Sequence, residues 1–306
     1  MDLLHIRRLL REGEFDVLFV NTAHDRRALL RDVPLLIATQ GRARRLVVQF
    51  HGSLSNELSM PGRYTMKAAS RWLARRADAV LMLSSEEVGH WRAFEPRGRY
   101  RVVANPYVHQ PALECREDEL REKQDATPVV LFVGRLIAAK GIFDLVDAMA
   151  RVRQRVDCRL HFAGGGSDED ALLGRIRAAG LEGSVRLLGH LQGADLARAY
   201  RTAAVFALPS YSEGFATVLA EAMDAGLPIV TTGIRGAVDH LQEGRNALFV
   251  PPGRAHLLAD ALFRLLTDED LRQAMAAANR AKVRDFAPSV VARDYLRLLQ
   301  EVMGSE

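Results

Sequence analysis

Cysteine is scarce in this chain: its 306 residues include two, Cys115 and Cys158, and neither belongs to a C-x-x-C pair or a Cys/His cluster. A disulfide scaffold and a structural zinc site are therefore not expected, and a reducing compartment is the simplest prediction. No run approaches the ~20 apolar residues that a membrane-spanning helix needs. Charges interrupt the apolar stretch at the N-terminus, which is not the pattern of a signal peptide. We therefore expect a cytoplasmic protein without a transmembrane segment.

Lysine is also rare, with 4 of the 42 basic residues, and the formal net charge is +4. Such a small basic surplus, carried mostly by arginine, does not indicate a nucleic-acid partner. Apolar residues make up 48% of the chain and charged residues 26%, a balance typical of folded globular proteins. The length suits two domains of ~150 residues each.

Short apolar runs alternate with segments of helical periodicity along the chain, and parallel strands need such crossover helices, so an α/β fold is predicted. The first half has strands predicted at 15–20, 46–50, 79–83 and 101–104, with helices at 3–11, 25–39, 60–76 and 85–94. The second half reads as a doubly wound domain of about six strands, of which five are located at 129–133, 159–162, 185–188, 205–208 and 229–232. Its helices are predicted at 141–155, 168–179, 194–202, 215–225, 254–266, 268–284 and 288–303.

A charged run flanked by prolines, 111–127, is the predicted linker. It separates a partial N-terminal domain, 1–110, from a C-terminal domain, 128–287. The remaining residues, 288–306, form a C-terminal helix.

Ligands of open α/β sheets bind beyond the carboxyl ends of the strands, so the residues after each strand are the candidates for a site. The strand VVLFV is followed by Gly134, Arg135 and then Lys140, just before a helix. Two cations and free backbone N–H groups at a helix N-terminus suit a diphosphate. The segment is not a Walker A loop, because Ala and Gly flank the lysine where that motif has Gly and Ser or Thr. Taken alone, the two cations could equally be ordinary surface residues.

The run AGGGSDED after the next strand fails as a dinucleotide fingerprint, because Glu169 stands where G-x-G-x-x-G needs its last glycine. A nicotinamide-dependent dehydrogenase is therefore disfavoured. Asp168, Glu169 and Asp170 are interpreted as the acidic start of a helix, which suits the helix dipole. No Asp-x-Asp motif stands at a strand end, and no metal site is predicted. The adjacent glycines are left open as residues that could line a cleft.

The strand VFALP is followed by SYSEGFATVLAEAM, in which Glu213 lies at the start of a helix and Glu221 two turns into it. Gly214 allows a ligand to approach the backbone, and the N–H groups of 214–217 form a second anion-binding helix start. Carboxylates beside such a pocket accept hydrogen bonds from sugar hydroxyls. Either glutamate alone could simply stabilise the helix, whereas the pair with Gly-Phe between is much more specific.

Taken together, FVGRLIAAKGIFDLVDA, AGGGSDEDAL, LPSYSEGFATVLAEAMDAGLPIV and GRNALFVPPG resemble the second domain of the family 4 retaining glycosyltransferases, which have the GT-B fold of two Rossmann-like domains. The resemblance covers 127–304, and extends more weakly to the first half through VVQFHG and RVVANPYV. It implies that Arg135 and Lys140 hold the donor diphosphate and that Glu221 holds the ribose. It also implies a donor site of further residues: Gly134, Gly189, Leu191, Glu213, Gly214, Phe215, Ala216 and Thr217. On the same resemblance the C-terminal helix, 288–306, is expected to return to the first domain.

His51 follows the predicted strand LVVQF, and the resemblance implies that it points towards the transferred sugar. Asn21 and Asn105 lie at similar strand ends, with weaker claims. The first half also departs from the family. The family's first domain opens with a strand and a glycine-rich loop, followed by two more strand–helix units. These roughly 70 residues have no counterpart ahead of FDVLFV, so the first domain is expected to be incomplete. A misplaced start, a partner chain that completes the domain, and a degraded copy are the alternatives.

One predicted helix, 60–76, carries a basic stripe at four-residue spacing, made up of Arg63, Lys67, Arg71 and Arg75. Most such stripes are solvated faces, but a basic helix face can also bind an anionic membrane. A peripheral location at the inner membrane face is therefore a further hypothesis.

The sequence thus predicts a retaining glycosyltransferase that moves a hexose from a UDP- or GDP-linked sugar to a hydroxyl acceptor, such as a lipid-linked or polysaccharide precursor. By resemblance, His51, Glu213, Arg135 and Lys140 are its catalytic residues, and neither metal nor cofactor is required. The alternative is a non-catalytic subunit that binds nucleotide sugars or serves as a scaffold. A GT-B epimerase is a lesser rival, because its acid and base have no evident match.

Overall fold

The structure, a computed structural model, describes residues 15–114 and 127–304. The helix predicted at 3–11, Cys115 and most of the predicted linker at 111–127 lie outside these residues. The described residues divide into two compact units. Those up to Asn105, together with those from Ser289 onward, form unit 1, and those from Pro106 to Pro288 form unit 2. The division therefore falls ahead of the boundary predicted at residue 110.

Unit 1 contains a parallel sheet of four strands in the order β1-β2-β3-β4. The strands are β1 (Phe15–His24), β2 (Ala43–Ser53), β3 (Ala79–Met82) and β4 (Tyr100–Val102), and the connecting helices are α1 (Arg26–Ala38), α2 (Tyr64–Arg76) and α3 (Ser85–Phe94). All four predicted strands are confirmed, but β1 and β2 are longer than predicted. Their parallel pairing keeps one register from Phe15↔Ala43 to Thr22↔Phe50 and shifts by one residue before His24↔Ser53, so the polar ends of both strands stay in the ladder.

The sheet of unit 1 buries apolar side chains on both faces, as a parallel sheet requires. On one face Val48, Phe50 and Val80 pack with Leu73 and Trp91 from the helices. On the other face Val47 and Leu81 pack with Leu298, which belongs to the last helix, α11 (Pro288–Gly304), numbered after the helices of unit 2.

Unit 2 contains a parallel sheet of six strands in the order β10-β9-β8-β5-β6-β7. The strands are β5 (Val129–Val133), β6 (Arg159–Ala163), β7 (Val185–Leu187), β8 (Val205–Leu208), β9 (Ile229–Thr232) and β10 (Ala247–Val250). Strand β10 was not located in the sequence, where it was seen only within GRNALFVPPG. The chain runs outward from β5 in one direction through β6 and in the other through β8. This switch point is where doubly wound sheets bind their ligands.

Helices of unit 2 bury an apolar stripe against this sheet. In α4, for example, Leu145, Val146, Met149 and Val152 are fully buried at three- and four-residue spacing. The set comprises α4 (Ile142–Val152), α5 (Glu169–Ala178), α6 (Gly193–Thr202), α7 (Thr217–Asp224), α8 (Gly236–His240), α9 (Ala255–Thr267) and α10 (Glu269–Lys282). In the described part of the chain, none of the helices has the length and apolarity needed to cross a bilayer.

Candidate functional site

Two of the predicted site residues meet at the carboxyl ends of β5 and β8. The amino group of Lys140 donates a hydrogen bond to the Glu213 carboxylate, at Oε1, and the two side chains are only 17% and 19% exposed. The hydroxyl of Ser210 donates to the same oxygen over 3.1 Å. A cation, a carboxylate and a hydroxyl therefore converge at the switch point of the sheet.

The loops that carry these groups are joined through their backbones. The N–H of Tyr211 donates to the carbonyl of Ala139 over 2.9 Å. Gly141 has a φ of 70°, and a Cβ placed there would lie 2.0 Å from the carbonyl oxygen of Pro209. Only glycine permits this approach, so Gly141 is required for Lys140 and Glu213 to meet.

The acidic run after β6 supports the first of these loops. Asp168 stands at the N-cap position of α5, but its side chain makes no capping hydrogen bond there. Instead its Oδ2 accepts a hydrogen bond from the N–H of Ala138 over 2.6 Å. The predicted acidic helix start is confirmed, with Asp168 at the N-cap and Glu169 and Asp170 in the first turn. The structure adds that the Asp168 carboxylate reaches across to the turn that carries Lys140.

The glycines before Asp168 pack against the same loop. A Cβ at Gly166 would lie 2.3 Å from the carbonyl oxygen of Leu136, and the N–H of Leu136 donates to Gly165 over 3.0 Å. These glycines therefore allow two loops to approach each other. Gly165 and Gly166 are also exposed, so a role in lining a cleft stays a prediction.

Arg135, the second predicted cation, stands apart from the Lys140 contact. Its residue is exposed, and the structure gives its side chain no ion pair or hydrogen bond with the described residues. Gly134 precedes it, bonded through its N–H to Ala163 over 3.0 Å. A free guanidinium beside a glycine loop remains available to an anion.

The segment between Glu213 and α7 leads into the helix later than predicted, because α7 begins at Thr217 rather than at 215. Ala216 stands at the N-cap and has no side chain with which to cap the first turn. Phe215 is 7% exposed and stacks on Phe286 with ring centroids 5.0 Å apart. Its ring therefore belongs to the core, which leaves the backbone of Gly214 to Thr217 as the part that could face a ligand.

Glu221 lies one turn further along α7 and is half-buried. Its Oε2 accepts a hydrogen bond from the hydroxyl of Tyr200 over 2.7 Å. The remaining predicted donor residues, Gly189 and Leu191, follow β7. There the carbonyl of Gly189 accepts from the N–H of Gly164 over 2.7 Å, so the loops after β6 and β7 are also connected.

In unit 1 the structure corrects the position of His51. It lies within β2 rather than after it, because β2 continues to Ser53. Asn21 lies within the neighbouring β1, and its Oδ1 is 3.2 Å from Nε2 of His51 in an exposed contact. The two polar residues that were singled out separately thus form a pair on adjacent strands. Asn105 lies beyond β4 in a segment without regular structure.

The helix predicted at 60–76 begins only at Tyr64, and Arg63 stands at its N-cap with a left-handed φ of 52°, so the stripe on α2 itself starts at Lys67. All four basic residues are largely bound within unit 1. Arg63 pairs with Glu57 at 2.7 Å, and both Arg71 and Arg75 contact the Glu95 carboxylate, at 3.4 and 2.7 Å. Lys67 donates to the carbonyl of Met60. Most of the basic groups that the sequence pattern predicted to be free for a partner are therefore already paired within unit 1.

Two cavities in unit 2 lie next to these elements. One of about 310 Å³ adjoins the Lys140 turn and is lined by Ala138, Ala139, Gly141, Phe143, Asp144 and Tyr211. A larger one of about 840 Å³ is lined instead by Tyr107, His109, Asp224, Arg280 and their neighbours. The larger cavity does not include Lys140 or Glu213, so size alone does not identify the site. No group of three or more His, Cys, Asp or Glu residues suited to a metal occurs in the described ranges.

Sequence reasoning missed Ser210, Tyr200 and the reach of Asp168. Ser210 lay inside the quoted motif three residues before Glu213, so its position was available as a signal. Tyr200 and Asp168 gave none, because their partners are 21 and 30 residues away along the chain.

Unit 2 is a doubly wound α/β unit that carries a lysine and a carboxylate at its switch point, where sheets of this class bind nucleotides. The model of the glycosyl transferases group 1 matches residues 116–282, and that of glycosyltransferase family 4 matches residues 2–110. The chain belongs to the group 1 glycosyl transferases, and the resemblance inferred from the sequence is confirmed.

Curated relatives agree with this family. The alpha-D-kanosaminyltransferase of Streptomyces kanamyceticus is 32% identical over 245 residues, which cover 76% of this chain and 64% of that protein. The phosphatidyl-myo-inositol mannosyltransferase of Mycobacterium leprae is 31% identical over 303 residues, 98% of this chain and 77% of that protein. The chain thus spans about two thirds to three quarters of these two relatives.

Solved structures share the GT-B fold with this chain, as predicted. The sucrose-phosphate synthase of Thermosynechococcus elongatus gives a TM-score of 0.81 at 23% identity, covering 99% of this chain and 78% of that one. Anabaena HepE in complex with UDP also gives 0.81 at 23% identity, covering 98% and 82%.

Proposed function

We propose that this chain is a retaining glycosyltransferase that moves a hexose from a UDP- or GDP-linked donor to a hydroxyl acceptor. The observation that carries the proposal is the convergence of Lys140, Glu213 and Ser210 at the carboxyl ends of β5 and β8. A cation beside a carboxylate at a helix start matches a donor that has a diphosphate at one end and sugar hydroxyls at the other.

In this proposal the cations stabilise the charge that develops on the departing diphosphate. Lys140 bonds to Glu213 in the structure, so a bound donor would draw its amino group onto a diphosphate oxygen. Exposed Arg135 and the backbone N–H groups at the start of α7 would contribute further donors. Glu213, released from Lys140, would accept hydrogen bonds from hydroxyls of the transferred sugar. Glu221 would hold the ribose, and Gly189 and Leu191 would lie near the base.

The nature of donor and acceptor is proposed on the relatives. HepE has been crystallised with UDP-glucose, and the mycobacterial relative is a phosphatidyl-myo-inositol mannosyltransferase by name. These names support a UDP-linked hexose and a lipid-linked acceptor. A GDP-linked donor and a polysaccharide precursor are proposed on the family resemblance alone. His51 keeps its catalytic role in unit 1 on the family resemblance alone, and metal independence is likewise part of the proposal.

A transfer assay tests this function directly. The purified chain would be incubated with UDP- and GDP-hexoses and with acceptors that carry free hydroxyls, and the anomeric configuration of the product read by NMR. We expect transfer with retained configuration. Inversion would contradict the retaining mechanism, and failure to turn over any nucleotide sugar would remove the proposal of an enzyme.

One observation favours the second candidate, a non-catalytic subunit. Strand β1 is the edge of the sheet that the described residues of unit 1 form. Phe15 and Asp16 are exposed, Phe15 at 41%, and the next four residues of the strand are half-buried. An open strand edge is a template for pairing with another strand, including one from a partner chain. Binding of a nucleotide sugar without turnover, followed by activity when a partner is added, would favour this candidate.

Peripheral membrane association is a finer proposal. The arginines of the basic stripe keep partial exposure, with the side chains of Arg63 and Arg75 55% and 51% exposed despite their ion pairs. An anionic lipid surface could still attract them. The membrane role therefore depends on arginines that are exposed but already paired with carboxylates.

A further inference from the structure

We infer that Tyr200 is a positioning residue that fixes Glu221 for recognition of the ribose hydroxyls of the donor. The inference rests on the proposed function, in which Glu221 contacts the ribose, and adds the group that orients it. Tyr200 is on α6 and Glu221 on α7, and the two helices are brought together only in the folded unit.

The ring of Tyr200 is held rigidly. Its residue has no exposed surface, and the ring stacks on Phe206 of β8 with centroids 5.9 Å apart. A buried tyrosine hydroxyl needs a hydrogen-bond partner, and within the described residues the partner is Oε2 of Glu221 at 2.7 Å. The hydroxyl therefore marks a fixed point to which the flexible glutamate side chain is attached.

Glu221 presents its second oxygen in a different way. The residue is only half-buried, and among residues 15–114 and 127–304 no partner is found for Oε1. Oε2 of Glu221 is thus held by Tyr200, while Oε1 can accept a hydrogen bond from a hydroxyl of a ligand. Because the anchor removes side-chain freedom before binding, less conformational entropy is lost when the ligand arrives.

The protonation state of Tyr200 suits this role. Burial and the adjacent Glu221 carboxylate raise the pKa of Tyr200 well above its ordinary value. The hydroxyl therefore remains a donor throughout the physiological range.

If the hydroxyl only stabilised the fold, Tyr200→Phe would lower the midpoint of thermal unfolding. In the positioning role that midpoint should change little, because phenylalanine fills the same space and the freed oxygen of half-buried Glu221 can reach water. The effect of the substitution should appear in ligand recognition, specifically in the preference for a nucleotide that has ribose hydroxyls.

Tyr107 offers a matched control. Its hydroxyl donates over 2.9 Å to a carboxylate on the same helix, that of Asp224 at the end of α7. Tyr107 is also buried. No contact with the donor is proposed for Asp224, so Tyr107→Phe removes a tyrosine hydrogen bond from α7 and leaves the Tyr200–Glu221 bond in place, while Asp224 keeps its bonds to His109 and Gln110.

The experiment measures the affinity of UDP, GDP and their 2′,3′-dideoxy analogues by titration calorimetry. We expect the wild-type chain to prefer a ribonucleotide over its dideoxy form. Tyr200→Phe should reduce this preference about tenfold, the usual scale for one hydrogen bond to a charged group. Tyr107→Phe should leave it unchanged. In the transfer assay, Tyr200→Phe should raise the donor KM with kcat nearly unchanged, because the contact is remote from the reacting bond.

The outcomes separate this inference from the function beneath it. If Glu221→Gln abolishes the ribose preference while Tyr200→Phe retains it, the positioning role is overturned and the proposed function stands. An equal loss in Tyr107→Phe also overturns it, since the effect would then be a general one on α7. If the wild-type chain binds neither nucleotide, or shows no ribose preference, then the role of Glu221 fails and the inference with it.

Discussion

The backbone N–H of Ala138 donates a hydrogen bond to the carboxylate of Asp168, 2.6 Å away and 30 residues further along the chain. The bond joins the turn that carries Lys140 to the start of α5. The position of Lys140 in unit 2 therefore depends on Asp168, which follows a different strand, β6.

Removing this carboxylate should loosen the Lys140 turn. We expect Asp168→Ala to raise the donor KM several-fold, because a turn that must be ordered on binding weakens the ligand. Asp168→Asn, which keeps an acceptor oxygen, should be milder. Glu169→Ala, at the neighbouring first-turn position of α5, serves as the control in the transfer assay. Equal KM values for Asp168→Ala and the control would exclude the supporting role.

Lys140 should contribute directly to turnover. Loss of one group that stabilises developing charge costs about 2–4 kcal/mol of transition-state stabilisation, or roughly 30- to 1,000-fold in rate. We therefore expect Lys140→Ala to lower kcat/KM of sugar transfer by that factor. Lys282→Ala removes another lysine of unit 2, one that pairs with Asp285, and should have little effect. Undiminished turnover in Lys140→Ala means that the lysine has no role in catalysis.

His24 should make unit 1 sensitive to acid. The residue is 1% exposed, between Ser53 and Ser70, and desolvation lowers its pKa to about 4, although Asp25 opposes this. In the unfolded chain the His24 imidazole has a pKa of about 6.5, so between pH 6.5 and 4 the unfolded chain binds a proton that the folded chain does not. Stability is therefore complete above pH 6.5 and falls towards pH 4, by about 2 kcal/mol at pH 5.

Urea unfolding between pH 7.5 and 5 measures this dependence. The slope should flatten in His24→Gln and persist in His256→Gln, which replaces an exposed histidine. A wild-type slope that His24→Gln leaves intact would assign the acid sensitivity to other groups.

Membrane association can be measured by sedimentation with vesicles that contain phosphatidylserine. Each basic residue near such a surface contributes about 1 kcal/mol, so the loss of two in Arg63→Gln/Lys67→Gln should weaken binding by up to about 30-fold. Arg97→Gln/Arg101→Gln removes two exposed charges of the same unit outside the stripe and is the control. The arginines paired with buried Glu95 are left in place, because their loss would also disturb the fold. Indistinguishable binding of both variants would end the hypothesis of a stripe-mediated contact.

Much of the fold could be predicted from local patterns. Buried parallel strands appear as apolar runs, as in Val129–Val133 and Val205–Leu208, whose predicted bounds match the structure. Strand ends were less accurate where pairing decided them. His51 was placed after β2 because a polar residue ends an apolar run, whereas the ladder with β1 extends the strand through it. Strand β10 was not located, because its four residues follow a turn and lie close to two prolines.

For the site, the sequence determined which residue types follow which strands, and the parallel topology then required Lys140 and Glu213 to share one edge of a sheet. That much is local, since periodicity and strand ends are properties of neighbouring residues. Tertiary structure alone decided which side chains are partners: Asp168 for the Lys140 turn, Tyr200 for Glu221, and Glu57 and Glu95 for the basic stripe. Such pairs are far apart along the chain. A hydrogen bond requires its donor and acceptor to be placed within a few tenths of an ångström, and only the packing of helices on the sheet sets positions that accurately.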